Sequence, residues 1–355
     1  MKSKKLLIIN QLQFGYHSDT YYYCKYLRDS YNVTYLCWDY NEKRVDLNGI
    51  HIIYVPRTGN IARRNLRFMC HAINELKKGY GLNIIIYFRG CSFLKIACPR
   101  HTFLIDIRTG SVSNKKINRL AYDWLMTVEA SFFKHISIIS KSLAQKLGLG
   151  QKAYILSLGA DVISACEKTF DSMNLLYVGT LYNRNIDQTI KGFSKFYHEY
   201  KNKIPTCYTI VGKGLTTEEE QLRALVKRYG IGSSVKIAGQ IPHDRLKPFF
   251  DTHNIGVSYI PKTDYFEVQP PTKTYEYLLS GMPVIATETL ENANIIDDKN
   301  GILINDTSED FYQGLVKIYR HKKKYHSKEI RFNSLKYTWS EIVGDLNAKI
   351  ASLMN

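Results

Sequence analysis

The sequence predicts an α/β protein of two domains, each a parallel sheet covered by helices. With 355 residues, the chain is longer than one hydrophobic core usually organises. Short apolar runs alternate with longer segments of helical spacing, which is typical of strand–helix–strand units. The alternation starts again in the second half, so we place the break between the domains near residues 160–172.

Six apolar runs in each half have the length and composition of buried strands. Those of the first half are, in order, KLLIIN, VTYLCW, IHIIYV, NIIIYF, TFLIDI and ISIIS. Those of the second half are NLLYVG, CYTIVG, VKIAG, NIGVSYI, MPVIAT and GILIN. Helical spacing is clearest in DTYYYCKYLRD, RRNLRFMCHAINELKK, IDQTIKGFSKFYHEYK and EEEQLRALVKRYG, which lie between these runs.

The composition indicates a protein of a reducing compartment. No run of 18 apolar residues is present, so no membrane-spanning helix is expected, and Leu6 to Ile9 is too short for a signal peptide. Seven cysteines, an odd number without a Cys-x-x-Cys pair, fit neither a disulfide framework nor a zinc site. We therefore expect reduced thiols, no metal site and a cytoplasmic protein.

The net charge of +17 predicts attraction to a polyanion, which would be nucleic acid, an anionic membrane or a phosphorylated substrate. The segment IARRNLRFMCHAINELKK forms a basic amphipathic helix with Leu66, Met69, Cys70 and Ile73 on one stripe. Such a helix either rests on an anionic membrane or packs on the sheet as an ordinary helix. The charge alone leaves these partners open.

Glycines and polar residues follow several strands of the second half, where open parallel sheets bind their ligands. After NLLYV, Gly179 lets the backbone approach a ligand, and Arg184 precedes a helix that begins near Ile186. A guanidinium beside a helix N-terminus can clamp a phosphate. The alternative is an ordinary turn with a solvated arginine.

Two further strand ends carry weaker signals. Gly212 and Gly214 form half of a dinucleotide fingerprint, which favours a tight turn near a ligand over a nicotinamide cofactor site. His243, after the strand VKIAG, is either a ligand contact or a surface or helix-capping residue. The long loop from Pro261 to Pro271 has room to line a pocket.

The stretch QPPTKTYEYLLSGMPVIAT predicts a helix that starts after a double proline. Pro270 and Pro271 enforce extended backbone, and Thr272 is a good N-cap. We expect the helix over residues 273–280, ending at Gly281.

Lys273 and Glu276 lie on one side of the first turn of this helix. The lysine would add a charge to the phosphate site that a helix N-terminus offers. The glutamate is an acceptor suited to sugar hydroxyls such as those of a ribose. The alternative is an intrahelical ion pair.

The ordered set LLYVGTLYNRNID, YTIVGKG, VKIAGQIPHDRL, IGVSYIP, PPTKTYEYLLSGMPVIAT and NGILIN resembles the C-terminal half of GT-B glycosyltransferases, most closely family 4, the glycosyl transferases group 1. HISIISKSLAQKLG and AYILSLGAD resemble the end of that family's N-terminal domain. YTWSEIVGDLNAKIASLM resembles its C-terminal helix, which crosses back onto the first domain.

The resemblance implies a GT-B fold, in which two Rossmann-like α/β/α domains face a central cleft. Residues 1–165 would form the acceptor domain, residues 166–335 the nucleotide-sugar donor domain, and residues 336–355 the returning helix.

The resemblance also implies how the donor is held. Glu276 corresponds to the family's ribose-binding glutamate, in a P-x-K-x-x-E-Y pattern that Pro271, Lys273 and Tyr277 complete. Of the family's two diphosphate-binding cations, the first position is Thr180 here. Arg184 falls where the second, a lysine, is expected, and Lys273 would replace the lost charge.

Three features depart from the family or remain open. Where the family carries the first glutamate of an E-x7-E pattern, this chain has Val268, and Glu267 is one residue away. In the first domain, Gly15 would face the donor phosphates. Asp106 and Arg108 end a strand where relatives keep a substrate-contacting polar residue, or they form a structural ion pair.

These residues form the predicted site. The catalytic candidates are Arg184, Lys273, Asp106 and Arg108. The donor-binding candidates are Gly15, Gly179, Thr180, Arg184, Gly212, Gly214, Pro271, Thr272, Lys273 and Glu276. No metal ligand and no cofactor are expected.

The function implied is transfer of a sugar, of hexosyltransferase type, from a nucleotide-sugar to a glycan or lipid-linked acceptor. Transfer would retain the anomeric configuration, need no metal and serve the synthesis of cell-surface polysaccharide or lipopolysaccharide. The protein would be cytoplasmic, with peripheral contact to the inner face of the plasma membrane, and would not bind nucleic acid. The alternatives are a basic nucleic-acid-binding protein, a nucleotide-sugar epimerase of the same fold and a non-catalytic GT-B partner.

Overall fold

The computed structural model describes residues 4–113 and 115–354. They form two compact units, one of residues 4–158 with 339–354 and one of residues 159–338. The sequence places these boundaries at 165 and 335 instead. The second unit begins earlier because Ser164 already donates a hydrogen bond to Asp251 inside it, 2.7 Å away. It ends later because Ala160 and Thr338 form a β-bridge.

The first unit contains a seven-stranded parallel sheet of order β3-β2-β1-β4-β5-β6-β7. Six strands fall on the predicted runs. β7 was not predicted, because three residues at the sheet edge carry too little apolar pattern. The bounds are β1 Lys5–Ile9, β2 Asn32–Asp39, β3 Ile50–Pro56, β4 Leu82–Ile86, β5 Phe103–Ile107, β6 His135–Ile138 and β7 Ala153–Ile155.

The first unit also contains six helices in its described residues. Their bounds are α1 Ser18–Leu27, α2 Ile61–Leu76, α3 Ser92–Ala97, α4 Lys116–Ala130, α5 Lys141–Lys146 and, from the C-terminus of the chain, α13 Trp339–Met354. The ring of Trp339 stacks on that of Tyr22 of α1, with centroids 4.7 Å apart. The last helix of the chain is therefore packed within the first unit.

The direction of the strand order decides which face of the sheet each helix covers. The chain moves one way along the sheet from β1 to β3 and the opposite way from β3 to β7. Because crossovers between parallel strands are right-handed, α1 lies on one face and α2, α3, α4 and α5 lie on the other.

The helix α2 packs differently from its sequence pattern. It buries Phe68, Ala72 and Leu76. The predicted stripe lies outside this buried set: Leu66 and Cys70 are exposed. The helix therefore both packs on the sheet and presents apolar side chains outward.

The second unit contains a six-stranded parallel sheet of order β10-β9-β8-β11-β12-β13, and all six predicted runs form its strands. The strand bounds are β8 Met173–Val178, β9 Thr206–Val211, β10 Val235–Gly239, β11 Ile255–Ser258, β12 Val284–Thr287 and β13 Gly301–Ile304. The helices are α6 Ile186–Tyr200, α7 Thr216–Arg228, α8 Lys247–Thr252, α9 Thr272–Leu279, α10 Leu290–Ala293, α11 Ser308–His321 and α12 Ser327–Ser334. Both units therefore have the doubly wound, Rossmann-like strand order.

The carboxyl ends of β8 and β9 come very close together at Gly212. A Cβ atom at this position would lie 1.8 Å from the carbonyl oxygen of Gly179. Gly212→Ala is expected to destabilise the protein by about 3 kcal/mol, because two backbone segments must separate. Urea unfolding measures this cost. The matched control is Gly232→Ala, where an added Cβ meets no atom within 4 Å among the described residues. Equal stabilities of the two variants would contradict the prediction.

Candidate functional site

The helix α9 is fixed at the point where the strand order of the second sheet reverses, between β8 and β11. The hydroxyl of Tyr277 accepts a hydrogen bond from the backbone N–H of Val178, at the end of β8, 2.8 Å away. The hydroxyl of Thr274 lies 2.7 Å from that of Ser258, at the end of β11. Ligands of doubly wound sheets bind at this switch point.

The N-terminus of α9 differs in one respect from the sequence prediction. The helix begins at Thr272, so Thr272 is its first helical residue and Pro271 is the N-cap. Proline cannot cap the helix through its side chain. The backbone N–H of Thr274 donates to the carbonyl of Pro271, 3.1 Å away, so the N–H groups of Thr272 and Lys273 are the ones left for a ligand.

Lys273 carries the most unusual side chain of this region. Its ammonium lies 3.8 Å from the centroid of the Tyr177 ring. A Cβ atom on Gly179 would be 2.9 Å from the same ammonium, which therefore lies against the turn after β8. Nζ is buried and has no hydrogen-bond partner in the described part of the chain. A buried ammonium in this state lacks an anion.

The electrostatics of Lys273 agree with its burial. Burial and, to a smaller extent, the positive charge of Arg184 lower the pKa of Lys273 to about 7, while Glu276 acts in the opposite direction. The influence of Arg184 shows that two cations share this region.

Glu276 does not form the intrahelical ion pair that was the alternative for Lys273. Its Oε1 lies 3.0 Å from Nε2 of His243. The carboxylate is nearly buried, whereas the histidine is half-exposed. The hydrogen bond to Glu276 raises the pKa of His243, and Asp161 adds to this effect. The histidine thus holds the predicted ribose-binding carboxylate.

Arg184 stands in an unusual loop. Asn183 and Asn185, on either side of it, have φ angles of 53° and 50°, in the left-handed region. Such strain is concentrated at functional sites. The guanidinium lies 4.2 Å from the ring centroid of Phe266, from the loop between Pro261 and Pro271. This stacking replaces the solvated arginine of the alternative interpretation.

The remaining donor-binding candidates of the second unit divide into two groups. Gly179 and Thr180 form the turn beside Lys273, and the carbonyl of Thr180 accepts a hydrogen bond from the Tyr177 hydroxyl at 2.6 Å. Gly212 and Gly214 are explained by packing. At Gly214 a Cβ atom would lie 2.9 Å from Oε2 of Glu218.

Val268 stands where the family carries the first glutamate of the E-x7-E pattern, and its side chain is buried. Oε2 of Glu267 accepts a hydrogen bond from the backbone N–H of Leu290, 3.0 Å away, at the first residue of α10. This neighbouring acid therefore serves the helix start.

In the first unit, Asp106 and Arg108 form the structural ion pair that was the alternative to a catalytic role. Both are buried. Nε of Arg108 donates a hydrogen bond to Asp19. Oδ1 of Asp106 accepts from the Ser137 hydroxyl at 2.8 Å, and its Oδ2 accepts from the Tyr23 hydroxyl at 3.0 Å. These contacts account for the two charges and support the structural alternative, while the catalytic role stays a prediction.

Gly15 also has a packing explanation. Its φ is +90°, and a Cβ atom would lie 2.5 Å from Cγ2 of Val45. Its contact with the donor phosphates stays a prediction.

The sequence did not identify Tyr177 and Phe266 as parts of the site, and it left the role of His243 open. Tyr177 resembles any aromatic residue of a buried strand. Phe266 lies in the loop that the sequence singled out as long enough to line a pocket, and that length was the available signal. The partner of His243 is 33 residues away, so no local pattern reveals it.

Two general expectations concern metals and membranes. All seven cysteines are free thiols. Within residues 4–113 and 115–354, no three His, Cys, Asp or Glu side chains are grouped so that they could hold a metal ion. Over the same residues, no helix combines the length and the apolar character needed to span a bilayer.

Comparisons with known proteins agree with this architecture. Residues 172–321 match the model of the family described as "Glycosyl transferases group 1". A glycosyltransferase from Rickettsia africae has 12% identity and a TM-score of 0.76, with 100% of both chains covered. Anabaena Alr3699/HepE in complex with UDP has 13% identity and a TM-score of 0.75, covering 98% of this chain and 100% of that one.

A third similar structure is the apo form of the lipopolysaccharide outer core galactosyltransferase WaaB. It has 15% identity and a TM-score of 0.73, covering 98% of this chain and 99% of that one. A comparison with curated protein sequences gives no match.

The fold class predicted from the sequence is thereby confirmed. The chain has the GT-B fold of glycosyltransferases, built on parallel sheets of seven and six strands. Within its second unit, residues 172–321 match the model of the glycosyl transferases group 1 family.

Proposed function

We propose that this protein transfers a sugar from a nucleotide-sugar to a glycan or lipid-linked acceptor. The observation that carries the proposal is the ammonium of Lys273, which is buried without a partner beside the uncapped start of α9. A diphosphate would supply the missing anion, and the N–H groups of the helix would bind its oxygens.

The other side chains of the site suit the rest of such a donor. Arg184, held on the ring of Phe266, would add a second positive charge at the diphosphate. The carboxylate of Glu276 would accept hydrogen bonds from the ribose hydroxyls, in exchange for the bond from His243.

The chemistry proposed breaks the bond between the sugar and the diphosphate and forms a bond to an acceptor oxygen. Negative charge builds on the departing diphosphate, and fixed cations with oriented N–H groups stabilise it without a metal ion. The acceptor proton passes to the departing phosphate. We propose retention of configuration from the resemblance to family 4.

The similar structures supply first choices for donor and acceptor. HepE is solved in complex with UDP, which makes UDP-sugars the first donors to test. WaaB, a lipopolysaccharide galactosyltransferase, supports a role in the synthesis of a cell-surface glycan and an acceptor of hexosyl groups. A cytoplasmic protein at the inner face of the membrane would suit that role.

Thermal-shift measurements with UDP-, GDP- and ADP-sugars test the donor directly. We expect one nucleotide series to raise the melting temperature, both with and without EDTA, because binding to the folded state alone stabilises it. Generic RNA at the same charge concentration is the control for nonspecific anion binding. Stabilisation by RNA alone would favour the nucleic-acid alternative and contradict the proposal.

A further inference from the structure

The helix α4 of the first unit has its polarity reversed. Its buried residues are Asp123, Met126, Glu129 and Ala130, so two of the four are acidic. Its large apolar residues face outward instead: Ile117 is 81%, Leu120 58% and Trp124 68% exposed. A surface helix normally turns its apolar stripe to the core.

Both buried acids of α4 have partners in neighbouring segments of the chain. The carboxylate of Asp123 lies 3.1 Å from the ammonium of Lys146. Oε1 of Glu129 accepts a hydrogen bond from the backbone N–H of Gly90 at 2.7 Å and one from the hydroxyl of Ser92 at 3.0 Å. Because both carboxylates are directed to these partners, neither places its negative charge on the outer face of the helix.

The outward residues form one continuous stripe. At 100° per residue, positions 117, 120, 124 and 128 fall within about 80° of the helix circumference. Val128 and, just after the helix, Phe132 are exposed as well. Large apolar patches of this kind mark sites that contact a protein or a membrane.

Neighbouring helices on the same face extend the apolar surface. The bond from Ser92 to Glu129 places α3 beside α4, and α3 exposes Phe93 and Ile96. The helix α2 contacts α3 and exposes Leu66. We call the outward side chains of α2, α3 and α4 the apolar face.

Positive charges surround the exposed stripe of α4. Lys115 and Lys116 are exposed at its start, and Lys134 is exposed just beyond its end. The net charge of the chain is +17. An anionic lipid surface complements an apolar stripe with a basic rim. In a symmetric dimer the same basic rim would face its own copy, which opposes self-association.

We propose that the apolar face docks on an anionic bilayer, with Trp124, Ile117 and Leu120 inserted at the boundary between headgroups and acyl chains. This inference rests on the proposed function, since it places the enzyme where lipid-linked acceptors reside. The sequence pattern pointed to α2 for this role, and the exposed side chains point to α4 as the main anchor.

The tryptophans of the chain provide a direct probe. Of the three, Trp38 and Trp339 are 2% and 3% exposed, so Trp124 alone faces solvent. Vesicles of phosphatidylglycerol and phosphatidylcholine are expected to shift its fluorescence to the blue, and brominated acyl chains to quench it. Pure phosphatidylcholine vesicles should do neither. Trp124→Phe should lose the signal yet still sediment with the anionic vesicles.

Substitution of the exposed stripe tests which surface binds. Ile117→Ser combined with Leu120→Ser is expected to weaken vesicle binding on the order of tenfold or more, because apolar area no longer enters the bilayer. The matched control is Phe332→Ser, 73% exposed on α12 of the second unit, which should bind vesicles normally.

Two results would overturn the proposal. One is an unchanged Trp124 spectrum with anionic vesicles. The other is a spectral shift with rising protein concentration in the absence of lipid, which would assign the face to a second copy of the chain. Thermal shift by the nucleotide donor, measured on the same variants, should remain at the wild-type value. Loss of docking is thereby distinguished from failure of the donor site.

Discussion

Lys273→Met is expected to make the ligand-free protein more stable while removing most of its affinity for a nucleoside diphosphate. The pKa of Lys273 is lowered from 10.5 to about 7 by burial, so the folded protein holds this proton more weakly than the unfolded chain. Between about pH 7 and 10.5 the unfolded chain binds more protons, and stability therefore rises with pH across that window. Below about pH 7 the cost of burying the charged ammonium is fully present, and we estimate it on the order of 5 kcal/mol.

Methionine has a similar shape, has no charge to desolvate and does not titrate. Urea unfolding at pH 7 should show the variant to be more stable, and the difference should shrink as the pH approaches 10.5. Lys328→Met is the matched control, because Lys328 is 77% exposed in the same unit and should change stability little. A Lys273→Met protein less stable than wild type would contradict this account.

The loss of affinity follows from the same buried ammonium. We expect UDP to bind on the order of a hundredfold more weakly to Lys273→Met, because a charge-assisted contact in a buried site is removed. Calorimetry in buffers of different ionisation enthalpy adds a second readout. Near pH 7 to 8 the wild type should take up a fraction of a proton on binding, since the diphosphate raises the pKa of Lys273, and the variant should not.

Glu276→Gln is expected to abolish discrimination between UDP and 2′-deoxy-UDP. In the wild type, the carboxylate would accept from the ribose hydroxyls, and loss of one hydroxyl should cost about tenfold in affinity. In the variant, UDP itself should bind more weakly and the two nucleotides should bind alike. Equal discrimination in both proteins would show that Glu276 does not contact the ribose.

The same variant should also change the pH dependence of binding. The hydrogen bond from His243 to Glu276 raises the pKa of the histidine, so its protonated form competes for the carboxylate as the pH falls through that raised value. Wild-type affinity should therefore decline on the acid side. Glu276→Gln should lose this decline. Affinity should still fall as the pH rises above about 7 in both proteins, because Lys273 then loses its proton and its charge.

The sequence was sufficient for most of the fold because strands of parallel sheets are continuous apolar runs with polar loops between them. The exception, β7, shows the limit, since Ala153–Ile155 is too short for a pattern to stand out. Strand ends and helix starts are also determined by neighbouring residues. The sequence therefore predicted that Gly179, Arg184, Lys273 and Glu276 belong to one site.

The rest depended on contacts distant in sequence. The pair Asp106 and Arg108 looked equally suited to catalysis or structure until Asp19 was found to hold the arginine, 89 residues away. The sequence could not predict the reversed polarity of α4 for a similar reason. A helical pattern shows which residues share a stripe, and only the packed neighbours decide whether that stripe faces the core.

The bridge between Ala160 and Thr338 joins the two ends of the second unit. The backbone N–H of Ala160 donates to the carbonyl of Tyr337, 2.9 Å away, so the second unit is one uninterrupted segment whose two ends meet. One continuous segment, residues 159–338, therefore carries the proposed donor site. Because its termini are adjacent, this segment is suited to circular permutation and to insertion into a host chain.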